Sequence, residues 1–482
     1  MIIPKPVKEV IEKLENKGFQ AFVVGGCVRD VLLKKEPNDW DIATNARPEQ
    51  VGKIFPKSFA INKFGTTTVL TKSKKVNLKE VEITTFRTEE KYTDKRHPDK
   101  VSWAKNIDDD LKRRDFTVNA LAIDSKGELI DKFDGEKDLK NKLIKAVGKP
   151  EERFNEDALR LIRAIRFATT LGFKIEEKTL KAIKKQAGLL EFISNERIRD
   201  EFLKIIMADE PDKGIELLRE TGLLKHIIPE LLESYKVGQN KHHIYDVYEH
   251  SIRSLAFAAK KGFNKYVRIA ALLHDIGKPR TKEGKGQDST FYNHEIVGAK
   301  MTAQIIQRLK FSKKDAEKII KLVRFHLFYY NVDEVGESSV RRLVRRVEME
   351  NFKELIEVRM CDRIGSGCPK ALPYKLRHFQ YVAERVAQDP INVGKLKVGG
   401  KEVMEMLKIK PGPKIGKILA ALLADVLDEP KLNTKKYLEK RIQDLGKLSD
   451  KQLDKLTNQA KEKREQIVEK RDEMTKKKYW VS

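Results

Sequence analysis

At 482 residues the chain is too long for a single hydrophobic core, and three or four folding units are the expectation. Its 99 lysines and arginines outnumber 73 acidic residues, a net charge of +26. A lysine-rich composition explains part of that excess, but the rest points to a polyanionic partner, nucleic acid above all. No stretch approaches the roughly 18 apolar residues of a membrane span, and the amino terminus lacks the apolar core of a signal peptide. Cys27, Cys361 and Cys368 are an odd set without zinc-type pairing, so disulfides do not organise the fold. A soluble, cytoplasmic protein with no membrane partner is expected.

In chain order, Pro4 to Lys17 reads as an amphipathic helix with Val7, Val10, Ile11 and Leu14 on one face, ended by Gly18. Ala21 to Val24 is a short apolar run suited to a buried strand; Gly25 and Gly26 break it, and Val28 to Leu33 have helical character. Paired glycines let backbone approach a bulky anion, and the helix start behind them offers unpaired N–H groups. Arg29 adds a planar fork suited to phosphate. If Asp39 to Ile42 is extended, the Asp39 and Asp41 carboxylates project from one face. Two such oxygen ligands suit one or two Mg²⁺ ions at a triphosphate. Taken singly, Gly-Gly is commonly a turn and Asp-x-Asp a solvated loop; their joint spacing carries the signal. Gly25-Gly26-x-x-Arg29-Asp30 followed by Asp39-x-Asp41-Ile42-Ala43-Thr44 resembles the active-site signature of the nucleotidyltransferase superfamily. The resemblance is to the branch of bacterial-type (class II) tRNA CCA-adding enzymes and poly(A) polymerases.

Thr66 to Leu70 and Val81 to Thr85 have the β-branched content of strands. Glu82 is the acid in the second of these: a solvated strand face explains it as well as a metal role does, and the resemblance implies a third carboxylate on a neighbouring strand. Residues 88 to 106, with Lys95-Arg96-His97-Pro98, are polar and read as a mobile surface loop. In CCA-adding relatives a flexible loop lies here and helps the site change from CTP to ATP. Arg113-Arg114-Asp115-Phe116-Thr117-Val118-Asn119-Ala120 is similar to the family's second motif. Its Arg side chains can hold phosphate oxygens, and Asp and Asn can bond a ribose hydroxyl. The resemblance implies that Arg114, Asp115 and Asn119 contact triphosphate and ribose.

From Glu151 the pattern is helical throughout. Glu156-Asp157-Ala158-Leu159-Arg160 through Phe167 resembles the family's nucleotide-selecting helix. On a continuous helix Asp157 and Arg160 are neighbours about 60° apart, a carboxylate and a guanidinium side by side. Cytosine and adenine share an exocyclic amine beside an unprotonated ring nitrogen, which such a pair can bond. Arg163 and Arg166 are assigned to phosphate or RNA contacts, with Arg166 nearly opposite Asp157. Glu196-Arg197-Ile198-Arg199-Asp200-Glu201 reads as a buttress of this region.

A second constellation follows. His250, the adjacent His274-Asp275 at the end of an apolar helix, His294, His326 and Asp362 combine imidazole and carboxylate in a way that suits a divalent transition metal. The ordered set resembles the HD metal-dependent phosphohydrolase domain. That resemblance implies one metal on His250, His274, Asp275 and Asp362, with His294 and His326 serving a second ion or phosphate. Lys370 to Pro430 is helical again and resembles the family's RNA-holding region; from Lys431 the Lys/Glu-rich pattern with sparse Leu reads as a solvated helix or frayed tail.

The expected fold is an α+β nucleotidyltransferase head, a small mixed sheet with helices, followed by all-α neck, HD and C-terminal domains. The segments are 1–150 (catalytic head), 151–235 (neck), 236–370 (HD), 371–430 (RNA-binding body) and 431–482 (basic tail). The resemblance implies template-independent addition of CMP and AMP from CTP and ATP to a tRNA 3′ end. The motifs leave open a poly(A) polymerase or A-adding enzyme, a chain acting mainly as an HD phosphohydrolase, or a non-enzymatic RNA-binding protein.

Overall fold

A computed structural model describes residues 3–481 apart from 61–64, 91–99, 241–243, 333, 388–393 and 395. The first nine strands are β1 (Ala21–Val24), β2 (Asp41–Thr44), β3 (Ser58–Ala60), β4 (Thr66–Leu70), β5 (Glu80–Thr85), β6 (Arg87–Glu90), β7 (Lys100–Trp103), β8 (Leu121–Ile123) and β9 (Leu129–Asp131); Leu143–Ile144 and Lys174–Ile175 add a short parallel pair. Among the described residues seven of them form one sheet in the order β3-β4-β5-β2-β1-β8-β9. β2 and β5 run parallel and place Asp41 opposite Glu82; the other neighbours are antiparallel. A parallel pair needs a long crossover. Here the crossover holds the helix Pro48–Ile54 and the β3–β4 hairpin. The central strands are apolar on both faces because both are covered, with Val23, Val24, Ile42 and Ala43 buried. The helix Lys5–Glu15 buries Val7, Val10, Ile11 and Leu14 as its periodicity predicts.

The segment 88–106, expected to be a loop, is partly regular. β6 and β7 pair antiparallel, Arg87 opposite Trp103. Asn106 then caps the helix Ile107–Lys112, its side chain accepting from the Asp109 N–H at 3.0 Å. Polar sequence hid this because a two-stranded ribbon can leave both faces in water. Lys95-Arg96-His97-Pro98 lies outside the described residues.

The continuous helix expected from Glu151 is instead two, Pro150–Glu156 and Leu159–Leu171, with Asp157 extended between them (φ −134°, ψ 105°). The cause is Asp157 itself: its Oδ1 accepts from the Leu159 N–H at 3.1 Å, a local bond that competes with helix continuation. The second helix buries Leu161, Ile162, Ala164 and Ile165 and ends at Gly172, whose φ of +68° needs no Cβ.

The chain divides into two compact units, Met1–Leu327 with Glu357–Ala371, and Phe328–Ile356 with Leu372–Ser482. Residues 328–356, expected inside the HD segment 236–370, therefore belong with the second unit. The tail is not frayed. The helix Asp450–Tyr479 opens on a capping box between Ser449 and Gln452. It packs against the helices Pro413–Asp428 and Tyr374–Ala387, burying Leu453 and Ala460. Tyr381 also donates to its Asp472 at 2.5 Å. Sparse leucines suffice because only one narrow face is covered. Among the described residues no helix is long and apolar enough to cross a membrane.

Candidate active site

The end of β1, the start of β2 and the middle of β5 meet at one cleft of about 570 Å³. Asp41 opens β2, whereas Asp39 lies in the bend before it and not in the extended run expected from the sequence; Trp40 between them is buried, and both acids line the cleft. The parallel register brings Glu82 across from Asp41. Gly25, at φ +80°, precedes the helix Gly26–Leu32. A Cβ on it would lie 2.6 Å from Arg114 Nη1, so only glycine leaves room for that guanidinium.

The carboxylates repel one another. Burial, then Asp39 and Glu82, push Asp41 up to about 7 against the opposing pull of Arg114. Glu82 is also raised, by burial and then by Asp39 and Glu80. An all-oxygen donor set under mutual repulsion fits a hard divalent cation. A consequence follows for the metal-free protein. Asp41 titrates near 7 when folded and near 3.8 otherwise, so its ionisation destabilises the fold. The cost is absent below pH 3.8, grows as pH rises and is complete above 7. At about 1.4 kcal/mol per unit the upper limit is about 4 kcal/mol. Asp41→Asn is expected to raise the melting temperature in EDTA at pH 8 and to leave it nearly unchanged at pH 4. Equal shifts at both pH values would show that Asp41 is not held under this strain.

The opposite wall is basic and already internally bonded. Buried Asp110 takes Arg113 at 2.7 Å and Arg114 at 3.2 Å. Arg29 donates to Asn119 Oδ1 at 2.7 Å and to Asp30 Oδ1 at 2.8 Å. Asp115 Oδ2 accepts from Arg163 at 2.6 Å, while its Oδ1 accepts from the Phe116 N–H and Asn119 Nδ2. Burial would raise the Asp115 carboxyl, but Arg163 and the Asn119 bond outweigh it and hold it at about 2. Both of its oxygens are engaged, which makes Asp115 an organiser of Asn119 and Arg163. Arg166 pairs with Glu201 at 2.9 Å and lies 3.4 Å over the Phe167 ring. Glu201 also takes Lys204 at 2.9 Å, consistent with the expected buttress.

Asp157 and Arg160 both line the cleft, but not as the expected pair. Asp157 Oδ2 bonds Arg197 at 3.1 Å. The Arg160 guanidinium donates to Glu156 Oε2 at 2.6 Å and to the carbonyls of Arg153 and Arg113. All thirteen residues singled out between Gly25 and Arg166 line this one cleft. Sequence reasoning missed Thr84 and Phe167 there, and gave Arg113 only as one of its motif's arginines. Arg113 adjoins Arg114 in the same motif. Phe167 carries no pattern that reveals three guanidinium groups, those of Arg29, Arg163 and Arg166, over its ring.

The HD residues converge elsewhere in the first unit. His250 Nε2 lies 2.8 Å from His274 Nε2, 3.1 Å from Asp275 Oδ2 and 3.5 Å from Asp362 Oδ1. His294 and His326 approach Asp275 Oδ1 at 3.3 and 3.6 Å. Asp275 thus joins two groups with metal-ligand spacing, His250–His274–Asp275 and Asp275–His294–His326. Nδ1 of His274, His294 and His326 faces the carbonyls of Ala271, Phe291 and Val323 at 2.7–2.9 Å. Donating there frees Nε2 as the inward ligand atom. Burial pushes His326 down to about 4, so its imidazole is neutral at pH 7. This donor set fits a divalent transition metal. Lys278 Nζ, missed in the sequence, sits 2.7 Å from Asp275 Oδ2 and 2.6 Å from Gln239 Oε1. Its signal was the Gly277-Lys278 step right after His274-Asp275-Ile276.

Comparison with known proteins places the Asp39, Asp41 and Glu82 carboxylates and the HD residues inside recognised domains. The sequence matches the Poly A polymerase head domain over residues 21–145, the probable RNA and SrmB-binding site of polymerase A over 172–234, and the HD domain over 247–365. A CCA-adding enzyme of Lactococcus lactis subsp. cremoris (strain SK11) is 52% identical over 423 residues, 86% of this chain and 89% of that protein. The chain belongs to the CCA-adding enzyme family. That makes it a nucleotidyltransferase. The CCA-adding enzyme of Ligilactobacillus salivarius (strain UCC118) is 33% identical over 450 residues, 91% of this chain and 98% of that one. The crystal structure of the Bacillus stearothermophilus CCA-adding enzyme in complex with CTP superposes with a TM-score of 0.60 at 27% identity, covering 92% and 98% of the two chains. The Thermotoga maritima CCA-adding enzyme, solved with tRNA-CCA, shares the fold with a TM-score of 0.52 at 23% identity, over 92% and 96%.

Proposed function

We propose that this chain completes tRNA 3′ ends by adding C, C and A from CTP and ATP without a nucleic-acid template. The observation that carries the reading is the single cleft that unites Asp39, Asp41 and Glu82 with the glycine pair, Arg114 and the neck residues. The tRNA 3′ oxygen bonds to the nucleotide α-phosphorus, its proton passes to water, and the bond from the α-phosphorus to the oxygen bridging the β-phosphate breaks to release pyrophosphate. Asp39 and Asp41, with Glu82 beside them, hold one or two Mg²⁺ ions. Bound there, such an ion supplies activation of the hydroxyl and neutralises charge on the leaving group. Gly25 and Gly26 let the triphosphate close on the backbone, and Arg29 and Arg114 orient it. Asn119, set by Asp115, addresses the ribose; Asp157 and Arg160 address the base; Arg163 and Arg166 meet phosphate or RNA. A tRNA substrate places the work in the cytoplasm.

Incubating the purified protein with tRNA ending before CC, before A, or complete, with single nucleotides, tests this. CTP is expected to extend the first and ATP the second, with the third inert. Runs of A on any end would mean a poly(A) polymerase; A added only after CC would mean an A-adding enzyme.

A second reading rests on the converging Nε2 atoms: hydrolysis of phosphoesters at a transition metal held by His250, His274, Asp275 and Asp362, with His294 and His326 at a second ion or phosphate. His274→Ala is expected to remove bound metal and any phosphodiesterase or phosphatase activity while leaving CTP and ATP addition intact. Elemental analysis decides: equal metal in both proteins would reduce the motif to a structural role.

A further inference from the structure

The helix Glu337–Val347 lies inside the sequence span that matches the HD domain, yet it packs in the second unit, against the helix Tyr374–Ala387. It is strongly two-faced. Val340, Val344 and Val347 are buried, whereas Arg341, Arg342, Arg345 and Arg346 are exposed. At 100° per residue the four arginines span an arc of about 140° centred opposite the valines. The pairs 341/345 and 342/346 each repeat every four residues, about 6 Å along the axis, so two cationic rows run side by side. Little acid neutralises them. Glu337 reaches Arg341 only at 3.9 Å and is shared with Arg385. Arg342 bonds the Ser339 hydroxyl at 2.9 Å. Among the described residues neither Arg345 nor Arg346 has an ion-pair partner.

We infer that this arginine face docks the phosphate backbone of duplex RNA in the substrate, a contact outside the neck segment 172–234 matched as RNA-binding. The inference rests on the reading of tRNA as substrate. Charge complementarity selects the occupant: guanidinium forks bond phosphate oxygens two at a time, and the whole chain carries +26. A single strand is usually held by exposed aromatic rings on which bases stack, and this face has none. A membrane surface would need apolar side chains on the outer face, but the valines point inward.

The test uses the full chain with Arg345→Gln and Arg346→Gln combined, and Arg345→Lys/Arg346→Lys as the charge-preserving control. Each lost phosphate contact lowers the slope of log affinity against log salt by about 0.7–0.9. The Gln pair is therefore expected to cut the tRNA slope by about 1.4–1.8 and to raise Kd about tenfold or more at 100 mM salt. Turnover at saturating tRNA and KM for CTP stay as in wild type, and the Lys pair keeps most of the affinity. Unchanged Kd and slope would overturn the inference, as would an equal loss of binding to a single-stranded oligonucleotide. So would loss of binding to phosphatidylglycerol vesicles or to an acidic peptide with tRNA binding intact. A wild-type protein that adds no nucleotide, with the Gln pair still lowering the tRNA slope, would sink the catalytic reading and leave the docking face standing.

Discussion

Asp39→Ala and Asp41→Ala are each expected to lower nucleotide addition by about 10³-fold or more while tRNA still binds. Loss of a group that stabilises transition-state charge costs about 10²–10³ even for a single hydrogen-bond donor, and a metal-holding carboxylate contributes more. The two acids flank buried Trp40 where the chain enters β2, and Glu82 lies opposite Asp41 across the parallel register. No other cluster of carboxylates lines this cleft among the described residues, so there is no local substitute. RNA affinity, in contrast, is spread over a basic surface that the substitutions do not touch. The contrast with stability sharpens the test. Asp41→Asn should make the metal-free protein more stable at pH 8 while abolishing addition, because burial of the charge, with repulsion from Asp39 and Glu82, strains the fold, and a bound cation would relieve both. Single-turnover extension of tRNA with Mg²⁺, beside filter binding of the same tRNA, measures both quantities. Near-normal extension by either variant would place the chemistry elsewhere.

Asp157→Asn is expected to erode the preference for CTP and ATP over UTP and GTP by ten- to a hundredfold. The carboxylate can only accept, and cytosine and adenine offer it an amine; uracil and guanine would set a carbonyl against it. An unpaired or repelled polar group of this kind costs about 1–3 kcal/mol. Asn introduces a donor that can meet that carbonyl, while its amide oxygen can still cap the Leu159 N–H now bonded at 3.1 Å. Arg160 is a poorer probe than its motif suggests. It is buried and tied to Glu156, Arg153 and Arg113, so it must release Glu156 to reach a base, and Arg160→Ala would also loosen the neck. Competition among all four nucleotides on truncated tRNA reads the preference. A wild-type ratio in Asp157→Asn would shift base selection toward the β6–β7 ribbon and the segment between its strands.

Local spacing, with the family resemblance it supports, picked out residues that the fold then brings to one cleft. Asp39 and Asp41, one residue apart, reach one cleft although only Asp41 is in β2, and Gly25 adopts φ +80° because the chain must turn hard into a helix. His274 and Asp275 converge on one donor group because they are adjacent at a helix end. Rules that reach two to four residues recover such relations, and the order of the motifs did the rest. What those rules cannot reach is contact between distant segments. Glu82 was undecided until the β2–β5 register put it opposite Asp41, because register is fixed by the whole sheet and its crossover. Phe167 gained its three guanidinium neighbours only when the neck helix closed on the head. Helical periodicity continued through Asp157, but one side-chain bond to Leu159 broke it and sent Arg160 to other partners. Residues 328–356 read as part of the HD run, yet Val340, Val344 and Val347 found their burial in the second unit. An apolar face states that it must be covered; only the packed chain decides by what.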